Sequence, residues 1–225
     1  MGIYAYCVVP LSHQPPPGVV GLEDQAVESV ACGDVAVWVS HMQRPTGTVE
    51  HITAHNRVVE AAITGEVTPV PLRFGQWLDD ESALQTMLVD KAASYKQKLQ
   101  ELSGCLEFGI RVLDPTTPDE ARDVQPAPKS GYEYMQALRE SSKLADERRL
   151  LADQVRQQIQ DSLRHLVRAE HEEEARTPHA VITLSHLVAR PDFDEYRERA
   201  RQLRDVLPAM RLLLSGPWPP YSFAA

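Results

Sequence analysis

Two histidines four residues apart, His51 and His55, are the first place where this sequence could do chemistry. On a helix that spacing turns two imidazoles to one side, as zinc ligands require. The residues between them, Ile52, Thr53 and Ala54, include no glutamate, so the base of a HExxH hydrolase is missing. His41 before the pair and Glu60 after it are further ligand types. The plainer reading is a half-buried helix face. His165, His171, His179 and His186 stand at no ligand-like spacing.

Arg73 and Phe74 lie in the stretch PVPLRFG. An arginine at the end of an apolar strand can grip a carboxylate with two parallel hydrogen bonds, or it can tie its own strand to a helix. The closing residues, GPWPPYSFAA, carry no charge. Proline there fixes backbone angles, and Trp218, Tyr221 and Phe223 offer large contact area. Left exposed, this stretch is a docking element; folded back, it closes a core. Cys7, Cys32 and Cys105 form no CxxC pair, which signals neither a thiolate zinc site nor a disulfide framework. They read as small buried hydrophobes in a reducing compartment. No GxxxxGK[ST] loop, GxGxxG turn or GxSxG elbow occurs.

The elements that must position these residues follow from hydrophobic period. Residues 3–9 read as a buried strand stopped by Pro10. A proline-rich loop follows, then strands at 26–32 and 35–40 around Gly33-Asp34. A helix capped by Thr48 covers 48–63, and Pro69 and Pro71 make 67–74 an irregular or edge strand. A second helix spans 79–102 with Gly104 as its stop. After a strand at 107–113 comes a loop at 114–130 with Pro115, Pro118, Pro126 and Pro128. The longest periodic segment, 131–176, reads as one helix, too long for a single compact core, so part of it must project or pack elsewhere. Glu172, Glu173 and Glu174 read as its solvated end. A strand at 179–189, a helix at 192–207 and a strand at 210–215 complete the order. The class is α+β, with each half a variation on the split βαβ layout.

The 225 residues suffice for one large domain or two small ones. A formal charge of -9 disfavours sequence-independent nucleic-acid binding and attraction to an anionic membrane. It suits solubility or a basic partner. No apolar run reaches ~18 residues, and the N-terminus lacks the basic flank of a secretion signal, so an intracellular protein is expected.

Three stretches, in this order and spacing, resemble one family. They are Tyr4 to Val9 (YAYCVV), Pro69 to Gly75 (PVPLRFG) and Gly216 to Phe223 (GPWPPYSF). Together they resemble the gas vesicle synthesis proteins of the GvpF/GvpL family, over nearly the whole chain. The sequence departs from the family at residues 182–188, where many members carry an Asn-Ala-rich stretch. The resemblance implies two modified ferredoxin-like domains with antiparallel sheets, helices on one face and added helical segments. The expected division is 1–103 and 104–225, the second domain holding the long helix and the aromatic tail. It also implies a non-enzymatic accessory protein without cofactor or metal. Such a protein would assist nucleation and assembly, binding the major shell protein and other accessory proteins, in the cytoplasm first and then on the gas-facing side of the shell. Arg73, Phe74, Trp218, Tyr221 and Phe223 are the candidate partner contacts. The competing reading is a ferredoxin-like module that binds a small ligand or metal through Arg73, His51 and His55 and has enzymatic activity.

Overall fold

The computed structural model describes residues 1–117, 130–174, 177 and 179–224. The chain forms two compact units, Met1–Glu107 with Pro217–Ala225, and Phe108–Gly216. The tail therefore belongs to the first unit, whereas the sequence had grouped it with the second half.

In the first unit, β1 (Gly2–Pro10), β2 (Glu28–Cys32) and β3 (Val35–Met42) precede α1 (Val49–Ala61). Then come β4 (Val70–Pro71), β5 (Trp77–Leu78) and α2 (Glu81–Leu102). The sheet order is β2-β3-β1-β4, with β5 also on β1. Gly33 takes a positive φ of 59° in the β2–β3 turn, as a tight hairpin requires. Thr48 caps α1 by accepting from the His51 amide, and Asp80 caps α2 through Ala83 N at 2.8 Å. The expected strand at 67–74 shrinks to one pairing, Val70–Pro71 against Cys7 and Val8. Its two prolines have no N–H to donate to a ladder.

Tyr4, Tyr6, Ala36 and Trp38 pack with Val58, Val59 and Ala62 of α1 and with Leu22. The alternate residues Val35, Val37 and Val39 are buried too, so the opposite face is covered as well. The added helix α2, which runs against β1, β2 and β3, covers it.

The second unit contains most of β6 (Cys105–Leu113), α3 (Gly131–Leu163), β7 (Val167–Glu173), β8 (Ala180–Ala189), α4 (Phe193–Val206) and most of β9 (Arg211–Trp218). The order is β7-β8-β6-β9. Phe108, Ile110 and Val112 of β6 meet Val155, Ile159 and Leu163 of α3 and Tyr196, Ala200 and Leu203 of α4.

Counting each unit's four main strands from its own start, both sheets read 2-3-1-4. That is the ferredoxin-like order. In the second unit both crossovers are helical. In the first, the stretch between β1 and β2 holds only a 3₁₀ turn, Leu22–Asp24.

The long helix stops at Leu163, not at 176. Val167–Glu173 is instead an edge strand in antiparallel register with β8, Glu170 opposite His186. Its charges mask the period-2 signal, because an edge strand half in solvent carries polar residues that also block aggregation. Glu172 and Glu173 thus sit on a strand rather than at a helix end. Most of the proline loop expected at 114–130 lies outside the described residues.

Candidate partner-binding surface

The three sequence-distant stretches meet around His55. α1 places this imidazole in the first unit's core at 2 % exposure. Its Nε2 lies 3.0 Å from the Leu72 carbonyl, which can only accept, so Nε2 carries the proton. Nδ1 then accepts from the Tyr4 hydroxyl at 2.9 Å. The same hydroxyl accepts from the Gly75 amide at 3.1 Å. The loop is therefore pinned at residue 72 and again at residue 75, and Arg73 and Phe74 are held between the pins. Gly75 has φ 92°, a conformation costly for a residue with a Cβ.

Phe74 is half-buried, with its ring centroid 5.8 Å from His55 and 6.0 Å from Tyr4. Arg73 points outward, exposed, with no ion-pair partner among the described residues. The internal salt bridge that the sequence allows is not made to any of the described residues.

The tail folds back onto the same region. Tyr221 is half-buried, its ring 6.4 Å from His55, and its hydroxyl donates to Asn56 Oδ1 at 3.3 Å. Ser222 donates from its amide and its hydroxyl to the two oxygens of the buried Glu107 carboxylate, at 2.9 and 2.7 Å. Pro219 and Pro220 are buried, Phe223 is half-buried, and Trp218 is 45 % exposed. The docking and core-closing readings of the tail thus divide by residue: the anchor is Pro219 to Ser222, and Trp218 faces solvent.

Burial sets the electrostatics. It drives the His55 imidazole down to about 4, opposed by the hydrogen bond to Leu72. Burial likewise pushes the Tyr4, Tyr6 and Tyr221 hydroxyls up, so all stay protonated at neutral pH. His51 does not join His55. Its Nδ1 donates to the Thr46 carbonyl at 2.6 Å, and its Nε2 is 3.6 Å from Glu23. Both nitrogens of His55 are already engaged. Among the described residues, no group of three or more His, Cys, Asp or Glu is placed to hold a metal.

One polar network had no sequence signal. His186 on β8, at 1 % exposure, accepts at Nδ1 from the Tyr196 hydroxyl of α4 (2.9 Å) and donates from Nε2 to Glu170 of β7 (3.1 Å). Gln160 of α3 donates to the other Glu170 oxygen at 3.0 Å. Gln160, Glu170 and His186 line a groove of about 350 Å3. Their spacing in sequence, 10 and 16 residues from His186, carries no motif.

The gas vesicle synthesis protein GvpL/GvpF family matches residues 2–225. The chain belongs to that family. Relatives of the GvpL/GvpF family include gas vesicle protein L1 of Halobacterium salinarum, 23% identical over 99% of this chain and 90% of the relative. Gas vesicle protein F of a Streptomyces species is 27% identical and covers 99% of both chains. The crystal structure of GvpF from an Anabaena species superposes with a TM-score of 0.77 at 19% identity, covering 100% of this chain and 98% of that one. GvpF from Microcystis aeruginosa gives 0.74 at 18%, covering 100% and 99%. These GvpF structures share the α+β fold of this chain. Among the described residues, no helix is long and apolar enough to cross a membrane.

Proposed function

We propose that this chain is a non-enzymatic accessory protein of gas vesicle formation. In this reading it is a minor vesicle component that binds the major shell protein, keeps it from aggregating, and assists nucleation and assembly. It works first in the cytoplasm and then at the vesicle, on the gas-facing side of the shell, alongside other accessory proteins.

The observation that carries the reading is the pinned Arg73–Phe74 loop. Two hydrogen bonds to the Tyr4–His55 pair hold an exposed cation beside a half-buried aromatic. The folded-back tail packs Tyr221 near the same imidazole and leaves Trp218 in solvent. A pre-ordered surface of this kind costs little entropy on binding. Together Arg73, Phe74, Trp218, Tyr221 and Phe223 form the proposed contact, with acidic charge elsewhere keeping the complex in solution.

Co-expression with the shell protein and pull-down on this chain tests it. Arg73→Ala with Trp218→Ala changes only exposed side chains, so the fold survives. We expect recovered shell protein to fall about fivefold or more. Undiminished recovery would refute this surface, and no recovery by the unaltered chain would refute shell binding.

A further inference from the structure

The two sheets treat their outer strands differently. β7, at one edge of the second sheet, carries Arg168, Glu170, His171, Glu172 and Glu173 and shifts register between Val167 and Ala169. Charge and irregularity both discourage a further strand from adding. β2, at one edge of the first sheet, has Glu28 as its one charged residue, no proline, and an unbroken register with β3 from Glu28 to Cys32. Gly33 and Asp34 form a two-residue turn, so the pair that flanks it, Cys32 and Val35, exchanges hydrogen bonds. Val30 and Glu28 then also bond to β3, and the amides of Ser29 and Ala31 point away from it. Neither amide has a partner among the described residues.

What lies beside this edge chooses the occupant. A groove of about 610 Å3 is lined by residues 14–20, Asp24 and residues 26–29. The stretch 14–20 meets the lead-in to β2 at the Val20–Ala26 bridge. Pro15, Pro16 and Pro17 beyond it have no N–H with which to continue a ladder. With Val19, Val20 and Val27 they make much of the lining apolar. Its charged residues are Asp24 and Glu28, both exposed, and no Lys, Arg or His lines it. Asp24 makes no ion pair among the described residues, and Glu28 meets the exposed His41 at 3.8 Å, a weak, screened pair. The first unit as a whole holds thirteen Asp and Glu against six Lys and Arg, so it carries -7 of the chain's -9. That charge favours a cationic partner and disfavours a second copy, whose β2 would bring an equally acidic unit against this one.

We propose that the open edge of β2 receives an extended strand of another protein, one that alternates apolar side chains with Lys or Arg. Its backbone pairs with Ser29 and Ala31, as in strand addition to other sheet edges. Val27 and Ser29 point to one face of the sheet and Glu28 to the other, so an alternating segment sets its apolar side chains by the valine and proline lining and its cations by Glu28. β2 is ~17 Å long, room for about five strand residues. Arg73 of the proposed shell-binding surface follows β4, at the other end of the strand order, so the two surfaces stand apart.

The test uses the full chain and a labelled peptide of about eight alternating valines and lysines, followed by fluorescence anisotropy. A valine–glutamate counterpart and a fully N-methylated copy of the lysine peptide, equal in charge but without backbone donors, are each expected to bind about tenfold more weakly or worse. The lysine peptide is expected to slow hydrogen exchange at the Ser29 and Ala31 amides about tenfold and to leave that of Val30, already bonded to β3, unmoved. Ala31→Pro removes one outward donor without touching the β2–β3 ladder and is expected to weaken binding about fivefold or more. If that variant does not fold, the methylated peptide and the exchange rates decide. Asp24→Asn with Glu28→Gln is expected to weaken binding about fivefold, while Asp79→Asn with Glu81→Gln, the same charge change beside β5, leaves it unmoved. So does Arg73→Ala with Trp218→Ala, which separates this site from the shell-binding surface. The proposal is overturned by absent binding, by full affinity of the methylated or the glutamate peptide, by unprotected Ser29 and Ala31 amides, or by equal loss in both charge variants. Loss in the Arg73–Trp218 variant, or a dimer in light scattering that Ala31→Pro dissolves, overturns it too.

Discussion

Each unit buries one histidine, and each histidine takes a tyrosine hydroxyl on Nδ1. The difference lies at Nε2. His55 faces a backbone carbonyl, which gives a proton on the ring no countercharge. His186 faces the Glu170 carboxylate, which does. Burial pulls both imidazoles below their ordinary range, and only at His186 does an opposing carboxylate pull back. The lesson is that a single acceptor decides whether a buried imidazole has a countercharge beside it.

Trp38, Trp77 and Trp218 all belong to the first unit, so tryptophan fluorescence separates that unit's unfolding from the rest. The largest effect expected is acid sensitivity at His55. The folded imidazole titrates near 4 and the unfolded one near ~6.5. Above ~6.5 neither state binds the proton, and His55 adds no pH dependence. Below it the unfolded chain gains the proton first, and stability is lost as pH falls through about 4, about 3 kcal/mol in all. Fluorescence-detected denaturation across that range checks this, and His55→Asn should flatten the slope. A slope unchanged by His55→Asn would deny the imidazole this role.

Next come the tyrosines. Tyr4→Phe removes a hydroxyl with two partners and leaves the Gly75 amide and His55 Nδ1 without it, a loss of about 2–3 kcal/mol. Tyr196→Phe removes one bond, to His186 Nδ1, and should cost about 1–1.5 kcal/mol. The ordering reverses if the second network is the tighter one. Glu170→Gln, followed by far-UV circular dichroism, should make the second unit more sensitive to acid, because the group that favours protonated His186 is gone. Ser222→Ala should loosen the tail by about 1 kcal/mol, since the buried Glu107 loses its 2.7 Å donor. Smallest of all, Arg73→Ala should leave the unfolding midpoint in place, because the exposed guanidinium braces nothing in the described structure.

Most element types were legible because burial on one face imprints a period. Thr48, Gly33 and Gly104 marked a cap, a turn and a stop through local chemistry alone. The misses were places where partners, not local preference, decide. β7 is polar along its length and is a strand because β8 offers it a ladder. Trp77 and Leu78 pair with Tyr4 and Ile3 only because β1 lies alongside.

The sequence by itself determined the α+β class, the family and the residues of the three matching stretches. Those are properties of spacing and residue type, and neighbours in the chain carry them. Only the tertiary structure decided that Tyr4, His55, Leu72 and Tyr221 surround one another, that Glu107 holds Ser222, and that His186 bridges Glu170 and Tyr196. Contacts between residues as far apart in sequence as His55 and Tyr221 depend on how strands and helices stack, and a one-dimensional pattern does not encode which side chains that stacking makes adjacent.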